Sequence, residues 1–209
     1  MKKTFTLIIS LSLISFLAAA QITTAEMPVV GTHIVYQNIN KNGFDNYATV
    51  TGVGVTWNYI NIIEKPDSVI MNYINPATTT EGSSFPTSTV AEAMPPDTLG
   101  HFYYELNSGV FYRDGFFDAA NNMLLPYNNN LKLYQLPFQF GTSFNDAYTC
   151  TLGSIDIGGT PYPAIIDNGA YTTDVDGSGT LKLPAGRFDN VYRISYTETF
   201  TIKSDFGIG

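Results

Sequence analysis

The chain has 209 residues, 44% hydrophobic, 14% aromatic and only 13% charged, with 10 basic against 18 acidic side chains and a formal charge of −8. That balance excludes a disordered chain and argues against a nucleic-acid binder. The single cysteine excludes an internal disulfide framework and a Cys-based zinc cage, and two histidines far apart, His33 and His101, argue against a His-rich metal site.

The first twenty residues have the layout of an export signal. Lys2 and Lys3 precede an apolar run from Phe5 to Leu17, which closes on Ala18-Ala19-Ala20. A membrane anchor needs about 20 apolar residues, and this core is shorter and broken by Ser10, Ser12 and Ser15. Cleavage is expected between Ala20 and Gln21, by the Sec route. The division is then a signal peptide over 1–20 and a secreted β-rich domain over 21–209. Loss of Lys2 and Lys3 leaves 8 basic against 18 acidic groups, a charge of −10. Nothing later is apolar for long enough to span a membrane.

From there the dominant period is two, the spacing of half-buried strands. Val69, Met71 and Tyr73 alternate with polar neighbours. Phe102–Leu106 and Val110–Arg113 flank Asn107-Ser108-Gly109 as a hairpin, with Glu105 and Arg113 expected to pair across it on the surface. Tyr134, Leu136, Phe138 and Phe140 form a further run that Pro137 assigns to an edge or a bulge. Tyr148, Cys150 and Leu152 share one face. So do Tyr192, Ile194, Tyr196, Phe200 and Ile202 near the end. Turn formers sit at Asn42-Gly43, Gly158-Gly159, Asp167-Asn168-Gly169, Asp176-Gly177 and Pro184-Ala185-Gly186. Helix is expected only over Thr87–Met94, stopped by Pro95-Pro96, within a Thr/Ser/Pro-rich loop from Asn75 to Pro96. About ten short strands predict an all-β protein, one antiparallel sandwich or barrel-like domain.

Three groups of side chains suggest chemistry. Asp174, Asp176 and Ser178 fall at positions 1, 3 and 5 of an EF-hand-type calcium loop, with Gly179 at 6 and Leu181 at 8; Ala185 stands at 12, where a bidentate Glu belongs. The competing reading is a hairpin of Ala170–Asp174 and Gly179–Leu183 turning at Asp176-Gly177. Glu105, Asp114 and Asp118 lie among aromatics and could serve a glycosidase, with Tyr103, Tyr112 and Phe117 as faces for sugar rings. The simpler reading gives those rings to the hairpin core and places Asp114-Gly115 and Asp118 in a following turn. Cys150 reads as a buried small hydrophobe. No nucleophile elbow, His-Glu-x-x-His or phosphate loop occurs, nor any Asn-x-Ser/Thr sequon. Apart from calcium no cofactor is expected, and the acidic surface disfavours nucleic acid and anionic membranes as partners.

Val53-Gly54-Val55-Thr56-Trp57-Asn58-Tyr59, the stretch Leu131 to Phe144, and Asp176 to Arg193 with its Leu183-Pro184-Ala185-Gly186 centre resemble, in this order, secreted proteins of the Bacteroidota exported by the type IX system. The resemblance spans most of 30–203. It implies a β-rich secreted module, followed in such proteins by a C-terminal sorting domain, with no established activity. It also implies a hairpin with a Pro-Ala-Gly turn between Asp176 and Gly186. Asn58 stands where these proteins often have Asp, and the sequence stops at Gly209 without a sorting domain, which implies a fragment or a periplasmic destination. The resulting expectation is a non-enzymatic extracellular module that binds a glycan or protein, adheres or builds structure. The alternative is a carbohydrate-active enzyme or glycan-binding module using segment 101–118.

Overall fold

The computed structural model describes residues 21–39, 49–93, 100–120, 122–157 and 159–204. The expected signal at 1–20, the turn at Asn42-Gly43, Gly158, and the segment from Met94 through Pro95-Pro96 lie outside these residues. The expected fold class holds: the chain is all-β, with helix limited to short 3-10 turns among the described residues.

The strands are β1 (His33–Ile39), β2 (Gly52–Asn58), β3 (Glu64–Ile74), β4 (Val90–Ala93), β5 (Gly100–Asn107), β6 (Val110–Asp118), β7 (Met123–Gln135), β8 (Ser143–Ile157), β9 (Thr160–Leu183), β10 (Gly186–Thr199) and β11 (Ile202–Ser204). They form one large, mostly antiparallel sheet in the order β1-β3-β4-β5-β6-β7-β8-β9-β10, not closed into a barrel. The long β9 also takes β2 in parallel and β11 antiparallel.

Local chemistry explains the turns that form. Ser108 and Gly109 both have positive φ, 51° and 78°, which the two-residue loop between Asn107 and Val110 requires. Pro184-Ala185 joins Leu183 to Gly186 as expected. Three expectations are overturned. Residues 90–93 are strand β4, not helix, because Val90 and Ala91 are buried on opposite faces of a period-two segment. Neither Asp167-Asn168-Gly169 nor Asp176-Gly177 turns the chain, since β9 runs unbroken through both. Beyond β7, Phe138 leaves the expected run and bridges Ile22.

The sheet folds over on itself at β7. Arg113 on β6 pairs with Leu131 and Gly115 with Pro126, so residues 127–130 swing out of that ladder. Tyr127 then pairs with Cys150 on β8. Around this corner side chains replace missing ladder bonds. The Asn129 carboxamide donates to the Ala147 carbonyl (2.5 Å) and accepts from the Thr149 N–H (3.3 Å), as a strand peptide would. The main core lies between the two halves. Tyr73, Val90, Tyr104 and Phe111 come from one side, and Tyr148, Cys150, Ile166 and Tyr171 from the other.

Candidate functional site

The acids singled out between 101 and 118 are each held by hydrogen bonds to neighbouring strands or turns. Asp114 is not in a turn but is an extra residue within β6, where both ladders shift register. It is 4% exposed, and its Oδ2 accepts from the hydroxyls of Ser88 and Thr87. Its Oδ1 is buried without a hydrogen-bond partner. Burial lifts this carboxyl to about 6, with a smaller push from Glu105, while the two hydroxyls pull the other way. Glu105 accepts from Asn107 (2.9 Å) and Asn130 (3.3 Å). Asp118 ends β6, and its Oδ1 accepts from the Ala120 N–H at 3.0 Å in the turn that follows.

The proposed sugar platforms are largely inside. Tyr103 is fully buried, stacked on Phe85 at 3.9 Å, and its hydroxyl meets that of Thr79 at 2.7 Å. Phe117 packs on the same cluster. Tyr112 is partly exposed and stands opposite Glu105. Asp114 therefore feels the charge of Glu105 but is itself buried, as is Tyr103, while Tyr112 and Phe117 are partly exposed.

The segment carrying Asp174, Asp176 and Ser178 is extended β9, so neither the calcium loop nor the competing hairpin turn is formed. Asp176 pairs with the Arg193 guanidinium. Asp174 and Asp176 line a shallow depression with Phe140, Gly141, Thr142 and Ser143. Gly179 serves close approach instead of a loop: a Cβ there would sit 1.9 Å from the Val55 carbonyl oxygen of β2.

Sequence reasoning missed a different constellation on the inner face. Arg113 does not pair with Glu105. Its guanidinium donates to Glu198 on β10 at 2.6 Å and lies 5.7 Å from the Phe102 ring centroid and 5.6 Å from that of Tyr127. Tyr148 also donates to Glu198, at 2.7 Å. A second carboxylate, Glu92 on β4, accepts from Tyr104 (2.8 Å) and Tyr73 (3.2 Å) through one oxygen. Tyr104 stacks on Phe111, and Phe111 on Tyr134. The burial of Tyr134 raises its hydroxyl, and the nearby Tyr196, Tyr36 and Glu92 raise it further. Burial likewise drives the Tyr104 and Tyr73 hydroxyls well up, with Glu92 adding to both.

Further tyrosines lie on the strands that end the sheet. β1 and β10 end the sheet path and do not pair with each other. Tyr36 on β1 is 50% exposed and Tyr196 on β10 is 66% exposed, and Tyr134 lies close to both. Tyr196 also stacks on buried Tyr171 at 5.8 Å. The result is a group of three tyrosines, Tyr36, Tyr134 and Tyr196, exposed or partly exposed beside the buried interior. Its only sequence signal was the alternation around Tyr73 and around Tyr196, which marked the strands but not their meeting.

The chain matches no protein-family model, no curated protein and no solved structure.

Proposed function

We propose that this is an exported, non-enzymatic binding module, of the secreted β-rich kind that its sequence resembles, and that its ligand binds at the exposed tyrosines of β1 and β10. One observation carries the reading: the two strands that end the sheet path among the described residues carry exposed tyrosines, Tyr36 and Tyr196, beside a largely buried tyrosine interior. Aromatic faces with hydroxyls at their rims combine apolar contact area with polar directionality, a combination enriched at binding surfaces. Export is supported by the layout of residues 1–20.

The test uses residues 21–209 and the variants Tyr36→Ala and Tyr196→Ala. A panel of sugars, amines and short peptides is followed by NMR of the tyrosine ring signals. The reading predicts a ligand that moves the Tyr36 and Tyr196 signals and loses affinity in both variants while the fold persists. Ligands that bind equally well to both variants defeat it. For export, sequencing the N-terminus of the chain recovered outside the cytoplasm should give Gln21 first.

The carbohydrate-hydrolase reading retains one supporting observation, the raised Asp114 carboxyl beside Glu105. It requires Asp114 to reach a glycosidic oxygen, and that side chain is covered by Ser88 and Thr87. Asp114→Asn should abolish any glycan cleavage under that reading.

A further inference from the structure

We propose that the cleft between Pro28–Val30 and the junction of β4 with β5 binds a small, uncharged, apolar molecule. The site shares no residue with the tyrosines of the proposed function and goes beyond that reading.

The cleft has a volume of about 440 Å3 and is lined by Pro28, Val29, Val30, Thr89, Val90 and Leu106. Backbone bonds fix both of its walls. On one side, β4 starts at Val90, and Thr89 stands where its next rung would be. The Thr89 N–H donates to the Tyr104 carbonyl at 2.8 Å, and its hydroxyl accepts from the Leu106 N–H at 3.3 Å. On the other side, Pro28–Val30 spans two anchored points. Met27 packs against two core clusters, while Gly31 donates to the Tyr73 carbonyl at 2.7 Å and Thr32 accepts from the Tyr73 N–H at 2.9 Å. Between them, the Thr32 N–H donates to the Val29 carbonyl at 2.9 Å, and the Val29 N–H to the Thr32 hydroxyl at 3.0 Å. The cleft is therefore preformed.

The lining decides the class of ligand. None of these side chains is charged, and only Thr89 is polar. Its hydroxyl is already engaged, with the Leu106 N–H and with the Tyr104 carbonyl at 3.5 Å. An ion or a sugar would give up water here without replacement partners, whereas an apolar molecule gains by leaving water. Val90, 2% exposed, belongs to the main core, so the cleft reaches from the surface to that core. Val29 and Val30 stand at its rim 61% and 52% exposed, apolar surface that a ligand would cover. The volume lies within the ~300–1,000 Å3 of small-molecule pockets. It exceeds the ~150 Å3 that holds benzene, which leaves room for a molecule of about two or three rings.

The experiment titrates residues 21–209 with N-phenyl-1-naphthylamine, an uncharged probe whose emission rises in apolar surroundings, and with its anionic relative 8-anilinonaphthalene-1-sulfonate. Methyl NMR of Val29, Val30 and Val90 locates the site. The neutral probe should move these signals, and the anion should bind at least about 10-fold more weakly. Val29→Asp at the rim should weaken the neutral probe by a similar factor. Should that change disturb the fold, as judged by emission of the single Trp57, Val30→Asp gives an independent reading with the same expected loss. Val35→Asp, at a position equally exposed but outside the cleft, should bind as the parent does. Unmoved valine methyls overturn the proposal, and so does an equal loss in Val35→Asp, which would mark general adherence to apolar surface. Equal binding of the neutral and anionic probes overturns the assignment of an uncharged ligand. A dimer in sedimentation that Val29→Asp dissociates would give the cleft to a second copy of the chain and overturn the small-molecule proposal.

Discussion

The guanidinium of Arg113 on β6 meets the carboxylate of Glu198 on β10 at 2.6 Å, although the two strands lie four places apart in the sheet. In a flat sheet that separation is roughly 19 Å at about 4.8 Å per strand. The pair can form only because the sheet folds at β7, and it ties the two layers together across the core. The Thr173 hydroxyl, donating to the Leu133 carbonyl at 3.3 Å from two strands away, makes a second and fully buried tie.

Breaking the first tie should be costly. The side chains of Arg113 and Glu198 are 15% and 24% exposed, so removing one strands the other largely away from water. Arg113→Ala should cost about 3 kcal/mol, near the low end for a buried pair because both partners keep some contact with solvent. Arg113→Met combined with Glu198→Leu should recover most of the loss. Urea unfolding midpoints of the three proteins check this, and a double variant no better than Arg113→Ala would contradict it.

Asp114 gives the chain a pH dependence of definite sign. Burial holds its folded carboxyl at about 6 against an ordinary value of 3.8. Between these values the folded state binds more protons at this group than the unfolded one, so its contribution to stability is greatest below pH 4 and is lost as pH rises through 6. The loss from this one group is at most roughly 3 kcal/mol. Asp114→Asn removes the titration. Its stability relative to the parent should therefore improve steadily from pH 4 to 7. A difference that stays flat over that window would show that Asp114 does not titrate there.

The strand content was legible because period-two alternation survives wherever one face is buried, as at Tyr148 and Cys150. The hairpin at Ser108-Gly109 was legible because its turn chemistry is local. The continuity of β9 was not, because its glycines look like turn formers. Gly169 lies under the Tyr148 ring, Gly177 under the Trp57 ring, and Gly179 against Val55, so these glycines admit neighbours instead of bending the chain. The contact of Glu92 with Tyr73 and Tyr104 was hidden for a related reason. Glu92 sits on a four-residue strand inside a Ser/Thr/Pro-rich stretch, too short to show a period. Glu105 was assigned to Arg113 as its neighbour across the hairpin. The register pairs Glu105 with Tyr112, while Arg113 shares its face with Tyr104.

Gly179 should be intolerant of any side chain. The Cβ of alanine would collide with the backbone of Val55, which cannot move without losing the parallel pairing of β2 with β9. Gly179→Ala should cost about 1–3 kcal/mol and loosen β2 first. Trp57 on β2 is 4% exposed, donates its indole N–H to the Val50 carbonyl at 3.0 Å, and is the only tryptophan. Its emission should shift to longer wavelength in the variant before global unfolding begins. An unchanged spectrum and midpoint would refute the close-approach argument.

Cys150 supplies a probe of the core. Its thiol is 1% exposed, packed between the folded layers, and burial pushes it up to about 11. The reactive species is the thiolate, so the native protein should resist alkylation at neutral pH on two grounds, access and ionisation. Tyr127 on β7 pairs with Cys150 at the fold of the sheet, so exposing the thiol requires that corner to open. Alkylation followed by mass spectrometry across a urea series should therefore track the global transition read from Trp57. Labelling that runs ahead of that transition would show that the corner at β7 opens before the core, as a separate low-stability unit. Cys150→Ala should then remove labelling altogether and cost about 1 kcal/mol or less, since only a small buried group is lost.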